Sequence, residues 1–157
     1  MEHMFTPWRR EYVESSKKSG CVFCHALEAE DSESLIVIRG EKAFVILNRY
    51  PYTNGHLMVV PYQHASSLEE LDAETRCEMM ELLTKSLVVL GEVYHPQGFN
   101  LGGNIGQAAG AGVADHIHLH VLPRWTGDTN FMTAVGSTRI LPETVEESWQ
   151  RICKAWK

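Results

Sequence analysis

The chain has 157 residues, of which 44% are apolar, a formal net charge of -6 and four cysteines. That length fills one core, so a single domain over residues 1–157 is expected, and the acidic balance argues against a nucleic-acid polymer as partner, because such binding needs a basic surface. No stretch approaches the roughly 20 apolar residues that span a bilayer, and Glu2, His3, Arg9, Arg10 and Glu11 interrupt any signal-peptide run, so a cytoplasmic protein without a membrane partner is expected.

Residues 1–20 are polar, with Trp8 and Tyr12 as isolated aromatics, and Arg9, Arg10, Glu11 and Glu14 allow a short helix. Cys21-Val22-Phe23-Cys24 follows a polar turn rather than a strand, which argues against a thioredoxin-like redox pair and for a zinc clip; two ordinary buried thiols are the alternative. A clip needs two more ligands, and His25, His56, His64 and a later histidine row can supply them. Cys77 and Cys153 are isolated and read as packing residues.

Short apolar runs over 35–39 and 43–47, separated by Gly40-Glu41, predict a hairpin, and 56–60 predicts a strand closed by Pro61. After Asp72, a plausible N-cap, Cys77, Met80, Leu83, Leu87, Leu90 and Tyr94 recur at spacings of three and four and predict one apolar helical face. His95, Pro96 and Gly98 end that helix. Two further strands are predicted over 99–105 and 116–122, joined by a glycine-rich segment, and Trp149, Ile152, Cys153 and Trp156 suit a docked C-terminal helix. Hairpins mixed with one long helix imply an α+β fold, an antiparallel sheet with the helix packed on one face.

Within 116–122, His116, His118 and His120 alternate with Ile117, Leu119 and Val121. On a strand this puts three imidazoles on one face, roughly 6.5 to 7 Å apart, and the aliphatics on the other. Histidine titrates nearest neutrality, so such a row can supply a neutral nucleophile, a proton donor and a metal ligand. A terminal tag or a loose metal-binding tract does not fit, because the run is internal, strictly alternating and stopped by Pro123.

The pattern His-φ-His-φ-His-φ-φ, with φ apolar, resembles the histidine-triad family. The likeness extends to Ile46-Leu47-Asn48-Arg49-Tyr50-Pro51, to Gly55-His56-Leu57-Met58-Val59-Val60-Pro61, and to Asn104-Ile105-Gly106 with Ala109-Gly110, and it covers about residues 20–125. The segment Pro123-Arg124-Trp125-Thr126-Gly127-Asp128-Thr129-Asn130-Phe131-Met132, at the start of a tail over 126–157, is similar to that of the diadenosine tetraphosphate phosphorylase branch. The resemblance implies a histidine-triad fold, a homodimer, a nucleotide substrate, no organic cofactor, and a tail that covers the active site or the partner.

It also implies roles. His118 attacks phosphorus, His120 contacts the phosphoryl oxygens or protonates the leaving group, and His116 orients the site or joins Cys21, Cys24 and His64 as a zinc ligand. Three like rings are expected to depress one another's protonation and keep His118 neutral. Asn48 holds the ribose, with His56 behind it. Asn104, Gly110, Ala111 and Gly112 meet the phosphates, and Trp125 lines the substrate or phosphate end of the site. Many hydrolase members carry a glutamine after the Ala-Gly of this loop; here Ala111-Gly112 stand there, with one extra residue before His116. That substitution favours inorganic phosphate over water as acceptor. Hydrolysis of dinucleoside polyphosphates or nucleoside phosphoramidates, and a zinc-stabilised nucleotide-binding module without turnover, remain open.

Overall fold

The computed structural model describes residues 20–129, 131–136, 138 and 140–157. The short helix expected before residue 20, and Asn130 in the tail, lie outside these residues. Five strands, β1 Ile36–Arg39, β2 Ala43–Leu47, β3 Leu57–Pro61, β4 Gly98–Gly102 and β5 Leu119–Arg124, form one antiparallel sheet in the order β1-β2-β3-β5-β4. The β1-β2 hairpin turns at Gly40, whose N–H donates to the Ala43 carbonyl at 2.8 Å. Every residue of β2 and β3 is buried. These two strands are continuous apolar runs because both faces of the sheet are covered here.

Of the helices, α1 Val22–Ala26 and α2 Asp31–Ser34 precede the sheet, and the long α3 Ala73–Tyr94 crosses it between β3 and β4. Helices α4 Phe131–Gly136 and α5 Val145–Ala155 belong to the tail. Asp72 caps α3, its carboxylate accepting from Thr75 N at 2.6 Å, and that bond is the first cause holding its pKa down to about 2. At the other end His95 takes a left-handed conformation, φ 47°, so the helix stops there before Pro96.

The buried stripe of α3 differs from the expected one. Thr75, Met79, Leu83, Ser86, Val89 and Leu90 face inward, whereas Cys77 and Met80 are exposed. Apolar doublets such as Met79-Met80 and Val88-Val89 let hydropathy fit two neighbouring stripes, and Ser86 enters the core because its hydroxyl donates to Leu82 O in its own helix at 2.7 Å. Cys77 therefore packs nothing, while burial pushes the Cys153 thiol up to about 11.

Helix α5 opens with a capping box between Thr144 and Glu147, buries Ile152, and is pinned to β1 by Trp149 Nε1–H donating to Ile36 O at 2.9 Å. The tail thus packs on β1 and α3. No helix among the described residues is long and apolar enough to cross a membrane.

Candidate active site and metal cluster

The histidine row sits where β3, β5 and the segment before β5 meet. Met58 pairs with His120 across β3 and β5, so His56, two residues back along the chain, is brought to the same face as His120. Only His120 lies within β5, which starts at Leu119; His116 and His118 precede it. The expected strand over 116–122 is therefore shifted. Its first residues are drawn away from ladder pairing, with Ile117 N donating to Ala65 O at 2.7 Å and the His116 ring reaching the cysteines. Ile117 and Val121 still enter the apolar core, although His116 is as deeply buried as they are.

Fixed acceptors and donors settle which nitrogen carries the proton on each ring. His118 Nδ1 lies 2.9 Å from His116 O, and a carbonyl can only accept, so the proton is on Nδ1 and Nε2 keeps its lone pair. Tyr50 N–H donates to Asn48 Oδ1 at 2.9 Å, which turns Asn48 Nδ2–H toward His56 Nδ1 at 3.3 Å. Tyr52 N–H donates to that same His56 Nδ1 at 3.2 Å. His56 therefore carries its proton on Nε2 and donates to His120 Nδ1 at 2.8 Å, leaving neutral His120 with an Nε2–H. One ring thus presents a lone pair and its neighbour, 4.9 Å away between centroids, an N–H.

Burial keeps these rings neutral. It is the first cause lowering His56 to about 3, ahead of the His120 and His118 charges, and lowering His120 to about 4, ahead of the His118 charge. His118 is also lowered by burial, with the bond to His116 O acting in the opposite sense. Mutual repulsion, the cause expected from the sequence, is secondary.

His118 is 5% exposed and lies against Phe23, with ring centroids 4.9 Å apart. Phe23 also meets His116 edge-on at 5.4 Å. Phe23, one of the two residues between the cysteines, thus braces both histidines, which the cysteine spacing alone did not reveal. Gly103 was missed as well. A Cβ there would lie 2.8 Å from His118 O and 3.1 Å from Leu119 Cδ2, so only glycine lets the chain after β4 run against the His118 backbone. The Gly102-Gly103 doublet was the available signal.

The glycine-rich loop is exposed around a 3-10 turn over Gln107–Ala109, flanked by Gly106 at φ 79° and Gly110 at φ 84°. Asn104 Nδ2 reaches Gly110 O at 3.5 Å. Two amides expected to face phosphate are engaged inside the loop: Gly110 N with Gln107 O at 2.9 Å, and Ala111 N with Gly106 O at a long 3.4 Å. Gly112, exposed, lies in the same loop before the triad. Trp125 is not brought to this region. It follows the far end of β5, its Nε1–H donating to Tyr94 O at 3.2 Å and its ring meeting Tyr94 edge-on.

On the other side of His116, the Cys21, Cys24, His64 and His116 ligand atoms lie within 4.8 Å of one another. His25 and His56, the other candidates, are not in this cluster. His116 Nε2–H donates to Pro61 O at 2.9 Å, so its Nδ1 faces the thiols with a lone pair, 3.2 Å from Cys21 Sγ and 3.8 Å from Cys24 Sγ. Cys24 Sγ is 3.5 Å from His64 Nδ1. Around a tetrahedral zinc with ordinary bond lengths, S···N edges are about 3.5 Å. The donor set, the spacing and the outer hydrogen bond to Pro61 O fit a closed structural zinc site.

The HIT domain model matches residues 29–127, and the chain belongs to the histidine-triad family. An AP-4-A phosphorylase of Mycobacterium tuberculosis is 36% identical over 99% of this chain and 85% of its own length. An adenosine 5'-monophosphoramidase of Schizosaccharomyces pombe is 26% identical over 84% of this chain and 95% of its own. Among solved structures, a zinc-bound histidine triad family protein from Mycobacterium smegmatis superposes with a TM-score of 0.71 at 32% identity, covering 87% of this chain and 93% of that one.

Proposed function

We propose that the protein is a nucleotidyl transferase that splits dinucleoside polyphosphates, diadenosine tetraphosphate above all, by phosphorolysis through a nucleotidyl-His118 intermediate. The observation that carries this reading is the pairing of a bare His118 Nε2 with a protonated His120 Nε2, fixed from opposite sides by His116 O and by His56. Similarity to the AP-4-A phosphorylase along nearly the whole chain supports the substrate class.

In the first step His118 Nε2 forms a P–N bond to the α-phosphorus while the bridging P–O bond breaks, and the leaving ATP takes the electron pair and the His120 Nε2 proton. In the second, an oxygen of inorganic phosphate forms a P–O bond to the same phosphorus. The P–N pair then returns to His118, ADP departs and His120 recovers a proton. Asn104, Gly110, Ala111 and Gly112 form the phosphate side, the loop exchanging its long internal bond at Ala111 for a phosphoryl oxygen. Asn48 has a second Nδ2 hydrogen and a second Oδ1 lone pair for the ribose hydroxyls. Cys21, Cys24, His64 and His116 would hold zinc, which as a four-ligand site supplies rigidity at His116.

A homodimer is supported by β4, an edge strand whose outer side pairs with no other strand among the described residues and whose Leu101 is 48% exposed. Leu101→Lys should halve the mass seen by light scattering. Four free cysteines fit a reducing cytoplasm.

The deciding experiment is incubation with diadenosine tetraphosphate with and without phosphate. Saturable acceleration by phosphate, giving ADP and ATP, is expected. Phosphate-independent cleavage with AMP among the first products supports hydrolysis instead, the reading favoured by the monophosphoramidase relative. Binding without turnover of any acceptor pair leaves the non-catalytic module.

A further inference from the structure

The four clip ligands are not held alike. They divide into an inner pair, Cys21 Sγ and His116 Nδ1 at 3.2 Å, and an outer pair, Cys24 Sγ and His64 Nδ1 at 3.5 Å. The inner histidine is wholly buried and cannot turn, because its Nε2–H is donated to Pro61 O at 2.9 Å and its ring meets Phe23 edge-on. Both cysteines ride on one element, Cys21 as the N-cap of α1 and Cys24 within it. His64 differs. It lies in the irregular segment between β3 and the 3-10 turn Leu68–Glu70, and it is the exposed member of the set. Its side-chain contacts among the described residues are Cys24 Sγ and the His116 ring, centroids 5.0 Å apart, both of them inside the cluster. Its Nε2 meets no acceptor among the described residues.

A histidine ligand is normally fixed by a hydrogen bond from its other ring nitrogen, and losing such a bond costs a metal site about 10- to 100-fold in affinity. His116 has that bond and His64 lacks it. Detaching His64 therefore breaks one coordinate bond and no hydrogen bond, and its ring swings into solvent rather than into the core. Under the zinc reading above, on which this inference rests, we propose that His64 is the exchange ligand of the clip. It lets go while Cys21, Cys24 and His116 keep hold, and a soft donor from solution, a thiol or a chelating nitrogen, takes its position. In that exchange the Zn–N bond to His64 breaks, its electron pair stays on Nδ1, and the lone pair of the incoming donor forms the replacing bond. The clip is closed in ligand number yet opens on one side.

The test mixes zinc-loaded protein with excess of a coloured pyridylazo chelator and follows zinc transfer by absorbance, with melting curves of loaded and chelated protein alongside. His64 is exposed, so His64→Ala removes no core volume. That variant should transfer zinc at least about tenfold faster than wild type and yet keep a melting temperature that zinc raises, since three ligands still tie α1 to the segment before β5. His64→Cys, which restores a fourth ligand on the same side, should bring transfer back to the wild-type rate or below it. Cys21→Ser, which cuts the inner pair, should lose most of the zinc-dependent rise in melting temperature. An unchanged transfer rate in His64→Ala, or a loss of zinc-dependent stability as complete as in Cys21→Ser, overturns the proposal while leaving the zinc reading in place. If wild-type protein takes up neither zinc nor cobalt, the zinc reading fails and the proposal falls with it.

Discussion

Acid should weaken this fold through His56 before any carboxylate titrates. In the unfolded chain His56 takes a proton near its ordinary pKa of 6.5, whereas in the fold burial and the neighbouring rings hold it down to about 3. The folded pKa lies below the unfolded one, so the unfolded state binds more protons between these values. Stability is therefore whole above pH 6.5 and is lost as pH falls toward 3. The slope approaches ~1.4 kcal/mol per pH unit, and by pH 4.5 the loss from His56 alone is on the order of 2 to 3 kcal/mol. His120 adds in the same direction over the window from 6.5 to about 4, discounted because it is only partly buried. Urea unfolding followed by tryptophan fluorescence at pH 7.5, 6.5, 5.5 and 4.5 measures this. Wild type and His56→Gln should be run both with saturating zinc and with chelator, which separates proton competition at the thiolates. The difference between the two proteins should shrink by roughly 2 to 3 kcal/mol on going from pH 7.5 to 4.5. Parallel curves would show that His56 is not held neutral and would remove the basis for the tautomer assigned to His120.

His118→Ala should abolish turnover of every nucleotide substrate. Because the ring is buried against Phe23, it should also lower the melting temperature, so activity is to be expressed per folded molecule. Cys21→Ser with Cys24→Ser should lower the melting temperature more than the activity per folded molecule, and elemental analysis of the wild type should find about one zinc per chain. Gly103→Ala places a methyl 2.8 Å from His118 O, a contact only backbone movement can relieve. Its kcat should drop at least tenfold with a stability loss of about 1 to 3 kcal/mol, and unchanged kcat would refute the close approach as a constraint on the nucleophile.

The fold was legible where its determinants are local. Gly40 marked the hairpin and Asp72 the start of α3, whereas the alternating histidines gave no sign that the β3-β5 pairing brings His56 to the same face as His120. The buried stripe of α3 was not legible, since burying Ser86 depends on a hydrogen bond to its own helix that hydropathy does not register. Nor was the late start of β5, which follows from a pull on His116 by groups nearly a hundred residues earlier in the chain. The phosphorylase-like tail around Trp125 was read as part of the site because of its neighbours in sequence, yet the six residues of β5 carry Trp125 away from the triad to the end of α3. Gly103 escaped notice because it matters by the side chain it lacks, a property with no periodic signal.

His116 makes three attachments with three different groups: its ring Nδ1 faces the Cys21 and Cys24 sulfurs, its ring Nε2–H holds Pro61 O, and its main-chain carbonyl holds His118 Nδ1–H. The cysteine cluster and the His118 ring are therefore not independent parts. A change that frees the His116 ring also loosens the carbonyl that fixes which nitrogen of His118 bears the lone pair, so drift at the cysteines is transmitted to His118 through one peptide unit. Any chain of this architecture that dispenses with the cysteines must hold that carbonyl still by packing alone, and in this molecule the side chain placed to do so is Phe23, which already meets both rings.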